Sequence, residues 1–168
     1  MIRVSVIGAQ GRMGARVVQA VGDADDMQLA QAIGVQSSLE GVRPDNTDVA
    51  VEFTVPSASL SNVLALVDQG VNVVVGTTGW TQDGLDEVRR ALSHAPNPGQ
   101  SVFIAPNFAV SAVLADVFPA TAARCFESAE VVEPHHPDKI DAPSGTAGQT
   151  ARTIAAARRR AGLGAVPG

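Results

Sequence analysis

The stretch Ile2-Arg3-Val4-Ser5-Val6-Ile7-Gly8-Ala9-Gln10-Gly11-Arg12-Met13-Gly14 decides the fold. Its first six residues are a short, β-branched run of the kind that forms a buried strand. Gly8 breaks the run, and Arg12 to Val21 reads as a helix. A turn of small residues between strand and helix lets a backbone approach a pyrophosphate. The helix start adds N–H groups and the positive end of a dipole. The strand before and the helix after are the context that turns a glycine pattern into a dinucleotide-binding expectation. The plainer alternative is a glycine-rich turn that binds nothing, with Arg12 an ordinary surface arginine rather than a phosphate contact.

Outward from this turn the chain alternates. Strands are expected at Gln28 to Ile33, Asp48 to Thr54, Val71 to Val75 and Ser101 to Ile104. Pro56 and Ser57 open a helix that ends near Gly70, and Thr81 caps another running to about Ser93. Strands apolar throughout, alternating with helices, predict a parallel, doubly wound, Rossmann-like α/β sheet over residues 1–107. After Asn107 the pattern changes. A helix is expected at Val110 to Phe126 with Pro119 bending it, then a strand at Ser128 to Glu133, a polar loop and a helix at Ser144 to Ala161. The Ala- and Arg-rich end of that helix, Ala155 to Ala161, reads as solvated. A single strand lacks partners, so residues 108–168 read as the opening of an incomplete α+β domain.

Composition excludes several classes. Hydrophobic residues make up 45% of the 168 and charged residues 17%, enough to bury a core. Aromatics are 4% with no Tyr, which leaves no platform for stacking bases. A net charge of −5 disfavours nucleic acid and anionic membrane as partners. The one cysteine, Cys125, forbids an internal disulfide and reads as a buried, inert thiol. No run is long and apolar enough to span a bilayer, and the N-terminus lacks a signal-peptide layout, so the expected location is the cytoplasm. No Gly-Lys-Ser/Thr follows a glycine loop, which disfavours a phosphate-loop NTPase.

Two further loops follow strands on the same expected edge, Gly76-Thr77-Thr78-Gly79 and Ala105-Pro106-Asn107-Phe108. Ligands of open α/β sheets bind at that edge, so both are candidates to line a nicotinamide; alone, each is an ordinary turn. One part of the dinucleotide pattern is missing. The acid that holds the adenosine ribose belongs at the end of the second strand, where Gly34 stands, and no acid lies between Met27 and Leu39. No Arg follows that strand to clamp a 2′-phosphate; Gln36, Ser37 and Ser38 offer only neutral hydrogen bonds. The choice between NADH and NADPH stays open.

The stretch richest in chemistry is Glu133-Pro134-His135-His136-Pro137-Asp138-Lys139-Ile140-Asp141-Ala142-Pro143-Ser144-Gly145-Thr146. The Ser144-Gly145-Thr146 helix start can bind a carboxylate through its N–H groups and hydroxyls, and Lys139 supplies a cation for the same anion. A histidine can give a proton at neutral pH. Adjacent His135 and His136 diverge too much for a metal pair, and no Cys or further His completes a site, so no metal is expected. Without these side chains, Ser144 would be a plain helix cap.

These motifs together resemble the dihydrodipicolinate reductase family. The resemblance rests on Gly8 to Gly14, the Glu-Phe-Thr-Val-Pro run at Glu52 to Pro56, Gly76 to Gly79, Ala105 to Phe108 and, most specifically, Glu133 to Thr146. It implies reduction of a small cyclic dicarboxylate by NADH or NADPH in lysine and diaminopimelate biosynthesis. It makes His135 the proton donor and Lys139 a catalytic lysine, with His136, Ser144, Gly145 and Thr146 on the substrate. Cofactor contacts would come from Gly8, Ala9, Gln10, Gly11, Arg12, Met13, Gly34, Gly76, Thr77, Thr78, Ala105, Pro106, Asn107 and Phe108. It also implies a homo-oligomer, a tetramer when full-length, built through substrate domains, and a family end well past Gly168. The chain departs from the family pattern at Gly34, often an acid, and at Ser111, often a glycine. Pro119 is unusual within a helix. The rival from another class is an inactive nucleotide-binding fragment or partner subunit; it would bind cofactor without turnover.

Overall fold

The computed structural model describes residues 1–105, 107–135 and 142–164. The chain divides into two compact units, Met1–Ala105 and Pro106–Gly168.

The first unit holds β1 (Ile2–Ile7), α1 (Arg12–Gly22), β2 (Met27–Ile33), β3 (Val49–Glu52), α2 (Pro56–Asp68), β4 (Asn72–Val75), α3 (Gln82–Ser93) and β5 (Val102–Ile104). All pairings are parallel, in the order β2-β1-β3-β4-β5. Every strand foreseen within this unit is present: β1 has the expected bounds, β2 is extended by one residue, and the other three are trimmed by one to three. The Rossmann-like sheet is borne out.

Side-chain alternation sorts the core onto two faces. Val4 and Val6 of β1 pack with Val21 of α1, joined by Val49 and Val51 of β3. Ile7, Ala50, Val73 and Val75 point the other way and pack with Val63, Leu66 and Val67 of α2 and Val88 of α3. Leu66 is fully buried, so Leu66→Ala costs about 2–5 kcal/mol through lost contacts and a cavity.

The link from β2 to β3 crosses β1 without a helix. Val42 anchors it, fully buried in the α2–α3 face. Buried Ser5 and Thr47 satisfy each other at 2.7 Å. Arg3 clamps the end of the link through Asp48, Nη2 to Oδ1 at 2.6 Å, and donates to the Pro44 and Asp45 carbonyls.

The second unit holds α4 (Val110–Ala122) and α5 (Gly145–Arg160), which pack against each other. It departs from expectation in four places. No strand forms over 128–133; the described residues of this unit supply no partner for a ladder. The first helix ends at Ala122 rather than Phe126, where the Ala123 N–H bonds the Pro119 carbonyl at 2.8 Å and the chain turns. Cys125 lies in that turn and is exposed, not buried. The end of α5 is not wholly solvated. Ile154 and Arg158 are 7% and 6% exposed, and the Arg158 guanidinium donates to the carbonyls of Ala123 (3.2 Å) and Phe126 (2.7 Å). Pro119 sits inside α4.

Candidate active site

The register aligns Ile33, Ile7, Glu52, Val75 and Ile104 in one row at the carboxyl edge of the sheet. The next residue of each strand is therefore Gly34, Gly8, Phe53, Gly76 and Ala105. The backbone ladder runs on through four of them. Gly8 N–H bonds Ile33 O, Phe53 N–H bonds Ile7 O, Gly76 N–H bonds Glu52 O and Ala105 N–H bonds Val75 O, at 2.9 to 3.2 Å. The sequence placed Gly8, Gly34, Gly76 and Ala105 at strand ends on one expected edge, and the sheet register puts them in one row there. The strand order reverses between β1 and β3, so the Gly8 turn stands at the switch point where such sheets bind ligands.

That turn fits a pyrophosphate. Gly8 has φ +81°, and a Cβ there would lie 2.2 Å from the Phe53 carbonyl oxygen. A Cβ on Gly14 would lie 2.0 Å from the Gly8 oxygen, so only glycine lets α1 start this close to the strand. Gly11 is the N-cap and offers no side chain; the first turn holds no acid. Ala9, Gln10, Gly11, Arg12 and Met13 thus surround a helix start uncapped by any side chain, with Gln10, Arg12 and Met13 exposed. The Gln10 side chain lies over Gly34, where a Cβ would meet its Cδ and Oε1 at 2.7 Å. The place of the usual ribose-holding acid is taken by a neutral amide.

Beside the turn, Glu52 is fully buried yet carries a carboxyl. It accepts from Ser59 Oγ at 2.8 Å and from the Thr54 hydroxyl. The Thr54 N–H in turn bonds Thr77 Oγ1 at 2.8 Å, and Trp80 Nε1 bonds the Thr77 carbonyl at 3.0 Å. This network holds the β3 end, the start of α2 and the Gly76–Gly79 loop together, with Thr77 buried and Thr78 exposed. The sequence signal for Glu52 was weak, an acid closing an apolar strand.

The second unit assembles its own cluster. Ser144 caps α5, accepting the Ala147 N–H at 3.0 Å. Gly145 and Thr146 are exposed in the first turn, which contains no acid. Thr146 Oγ1 meets Nδ2 of Asn107 at 3.4 Å, so one expected cofactor contact adjoins one expected substrate contact. His135 is exposed, its Nε2 2.6 Å from Oε2 of Glu133; the other Glu133 oxygen accepts the Ser144 N–H at 2.8 Å. The bonds with Ser144, first, and with His135 hold the Glu133 carboxyl down at about 2. Glu133 is the residue whose part the sequence reading missed. The signal was its spacing, because residues two apart on an extended segment project to the same side. Phe108 is exposed; Pro106, His136 and Lys139 lie outside the described residues. Among the described residues no cluster of three His, Cys, Asp or Glu could hold a metal ion, and no helix is long and apolar enough to cross a membrane.

The parallel sheet with its glycine turn at the switch point defines a Rossmann-like nucleotide-binding unit. Comparison with known proteins is more specific. The family model for the N-terminus of dihydrodipicolinate reductase matches residues 2–108, and that for its C-terminus matches residues 108–166. The 4-hydroxy-tetrahydrodipicolinate reductase of Bifidobacterium animalis subsp. lactis is 65% identical over 170 residues, covering 99% of this chain and 67% of that protein. The enzyme of that name from Corynebacterium efficiens is 49% identical over 166 residues, covering 99% of this chain and 66% of its own. Among solved structures, the dipicolinate-bound dihydrodipicolinate reductase from Paenisporosarcina sp. TG-14 aligns with TM-score 0.76 and 30% identity, covering 94% of this chain and 67% of that one. The chain belongs to the dihydrodipicolinate reductase family and spans about two thirds of the length of these relatives. The family is NAD(P)H-dependent, and its nucleotide-binding domain is present here.

Proposed function

We propose that this chain reduces 4-hydroxy-tetrahydrodipicolinate to tetrahydrodipicolinate with NADH or NADPH, in lysine and diaminopimelate biosynthesis. The observation that carries this is the C-terminal cluster. A histidine and a helix start with Gly145 and Thr146 exposed are tied together by one carboxylate, Glu133. That arrangement supplies a proton donor beside a seat for a carboxylate, which suits a cyclic dicarboxylate.

Residues 1–107 act as the dinucleotide-binding domain and 108–168 as part of the substrate-binding and oligomerising domain. The pyrophosphate rests on the Gly8–Gly14 turn, and the Gly76–Thr78 and Ala105–Phe108 loops serve the nicotinamide end. The 4-hydroxyl leaves with a hydrogen of the adjacent ring carbon as water, which creates a ring double bond conjugated with the imine; NAD(P)H, when bound, supplies a hydride to the carbon that carried the hydroxyl. The chain supplies the matching proton: His135 protonates the enamine that remains, and the ring recovers its proton from solvent. His136, Lys139 and the Ser144–Thr146 start hold the substrate carboxylates. Placement provides much of the acceleration, and a positioned acid adds about 10²–10⁴-fold. The chain works as a cytoplasmic homo-oligomer. Support for association comes from α4, where Val110, Val117 and Phe118 are exposed and no residue is buried. Oxidation of NAD(P)H, followed by its absorbance with freshly generated substrate, tests the reading; cofactor binding without turnover would overturn it.

A further inference from the structure

We infer that Glu133 is a positioning residue that locks the ring of His135 and the start of α5 into one geometry, an inference that rests on His135 being the proton donor. The carboxylate uses both oxygens, Oε1 on the Ser144 N–H at 2.8 Å and Oε2 on His135 Nε2 at 2.6 Å. Ser144 is 8% exposed and caps the helix through Ala147. One side chain thereby joins an extended segment to a helix start eleven residues on. Pro134 between Glu133 and His135 fixes φ and removes an N–H, which stiffens the pair.

The contact also selects a nitrogen. With Nε2 engaged by Glu133, the N–H bond that breaks is the one at Nδ1. Its proton passes to the substrate, the Nε2–H···Oε2 bond persists, and the ring is left neutral with hydrogen on Nε2. Holding an imidazole by its far nitrogen sets both ring orientation and tautomer. The depressed Glu133 carboxyl, near 2, remains an acceptor at any working pH.

The test compares Glu133→Ala and Glu133→Gln with the parent chain by kcat, KM for each substrate, and the solvent deuterium isotope effect on kcat. Parent turnover tests the reductase reading; the ratio of variant to parent tests Glu133. Glu133→Ala is expected to lower kcat about 100-fold, within the range a general acid contributes. It should enlarge the isotope effect as proton transfer becomes limiting and leave KM for NAD(P)H within about two-fold. Glu133→Gln keeps an acceptor for Ser144 and is expected to recover about ten-fold of that loss. It also carries the test if the alanine variant does not fold. An unchanged kcat overturns the inference. So does a fall in kcat with the isotope effect unmoved, which would mark a loss of folded protein rather than of proton delivery.

Discussion

The Ser144 N–H meets the Glu133 carboxylate at 2.8 Å across eleven residues of sequence, and the same carboxylate holds His135. Its first consequence is a pH dependence of stability. The Glu133 carboxyl sits at about 2 against an ordinary 4.5. A group depressed by folding stabilises fully above its unfolded value and loses that contribution as pH falls through its folded value. The second unit should therefore weaken between pH about 4.5 and about 2, and Glu133→Gln should flatten that part of the profile. Asp48, held by Arg3 at about 2 against 3.8, predicts the same fall for the first unit between pH about 3.8 and about 2. Trp80 is the only tryptophan and lies in that unit, so urea midpoints from its fluorescence separate the two effects. An Asp48→Asn variant whose profile parallels that of the parent below pH about 4 would contradict the assignment.

Gly34→Asp is expected to favour NADH. A carboxylate at the end of β2 can accept ribose hydroxyls and repels a 2′-phosphate. The new side chain meets the end of Gln10, which is exposed and can move aside. The ratio of kcat/KM for NADH to that for NADPH should rise at least about ten-fold, corresponding to about 1.4 kcal/mol of discrimination. An unchanged ratio would show that the ribose is held elsewhere.

Arg158→Leu should destabilise the second unit by about 2–3 kcal/mol. It strips a charged donor from the Ala123 and Phe126 carbonyls, and bonds to charged groups are the stronger ones. Far-UV circular dichroism under urea should register the loss while Trp80 fluorescence does not.

The exposed apolar side chains of α4 predict self-association. Light scattering is expected to give a mass above 17.2 kDa, and Val117→Lys with Phe118→Lys to lower it. A compact monomer of the parent chain would contradict this.

Much of the first unit was legible because four of its five strands, β2 excepted, are rich in β-branched residues and its helices carry start or stop residues. Thr81 is one such start, accepting the Gly84 N–H as its side chain predicts. Boundaries moved because register, not propensity, ends a strand: β3 stops at Glu52, paired with Ile7 and Val75. The second unit was less legible. Ser128 to Glu133 has strand-like residues, but a ladder needs a neighbour that local sequence does not reveal. Arg158 and Cys125 exchanged their expected environments because a distant turn needed donors for its carbonyls. At the candidate site, residue types pointed to chemistry at His135 and Ser144. The Glu133–His135 half of the link is hinted at by their two-residue spacing, whereas the Glu133–Ser144 half spans eleven residues and has no local signal.

The most direct test of the central claim is single-chain turnover of freshly generated 4-hydroxy-tetrahydrodipicolinate, followed by NAD(P)H oxidation, for the parent and His135→Gln. The account predicts turnover by the parent and a loss of about 10²–10⁴-fold in kcat for the variant, with cofactor affinity unchanged. Equal rates for the two, or cofactor binding by the parent with no turnover, would contradict it.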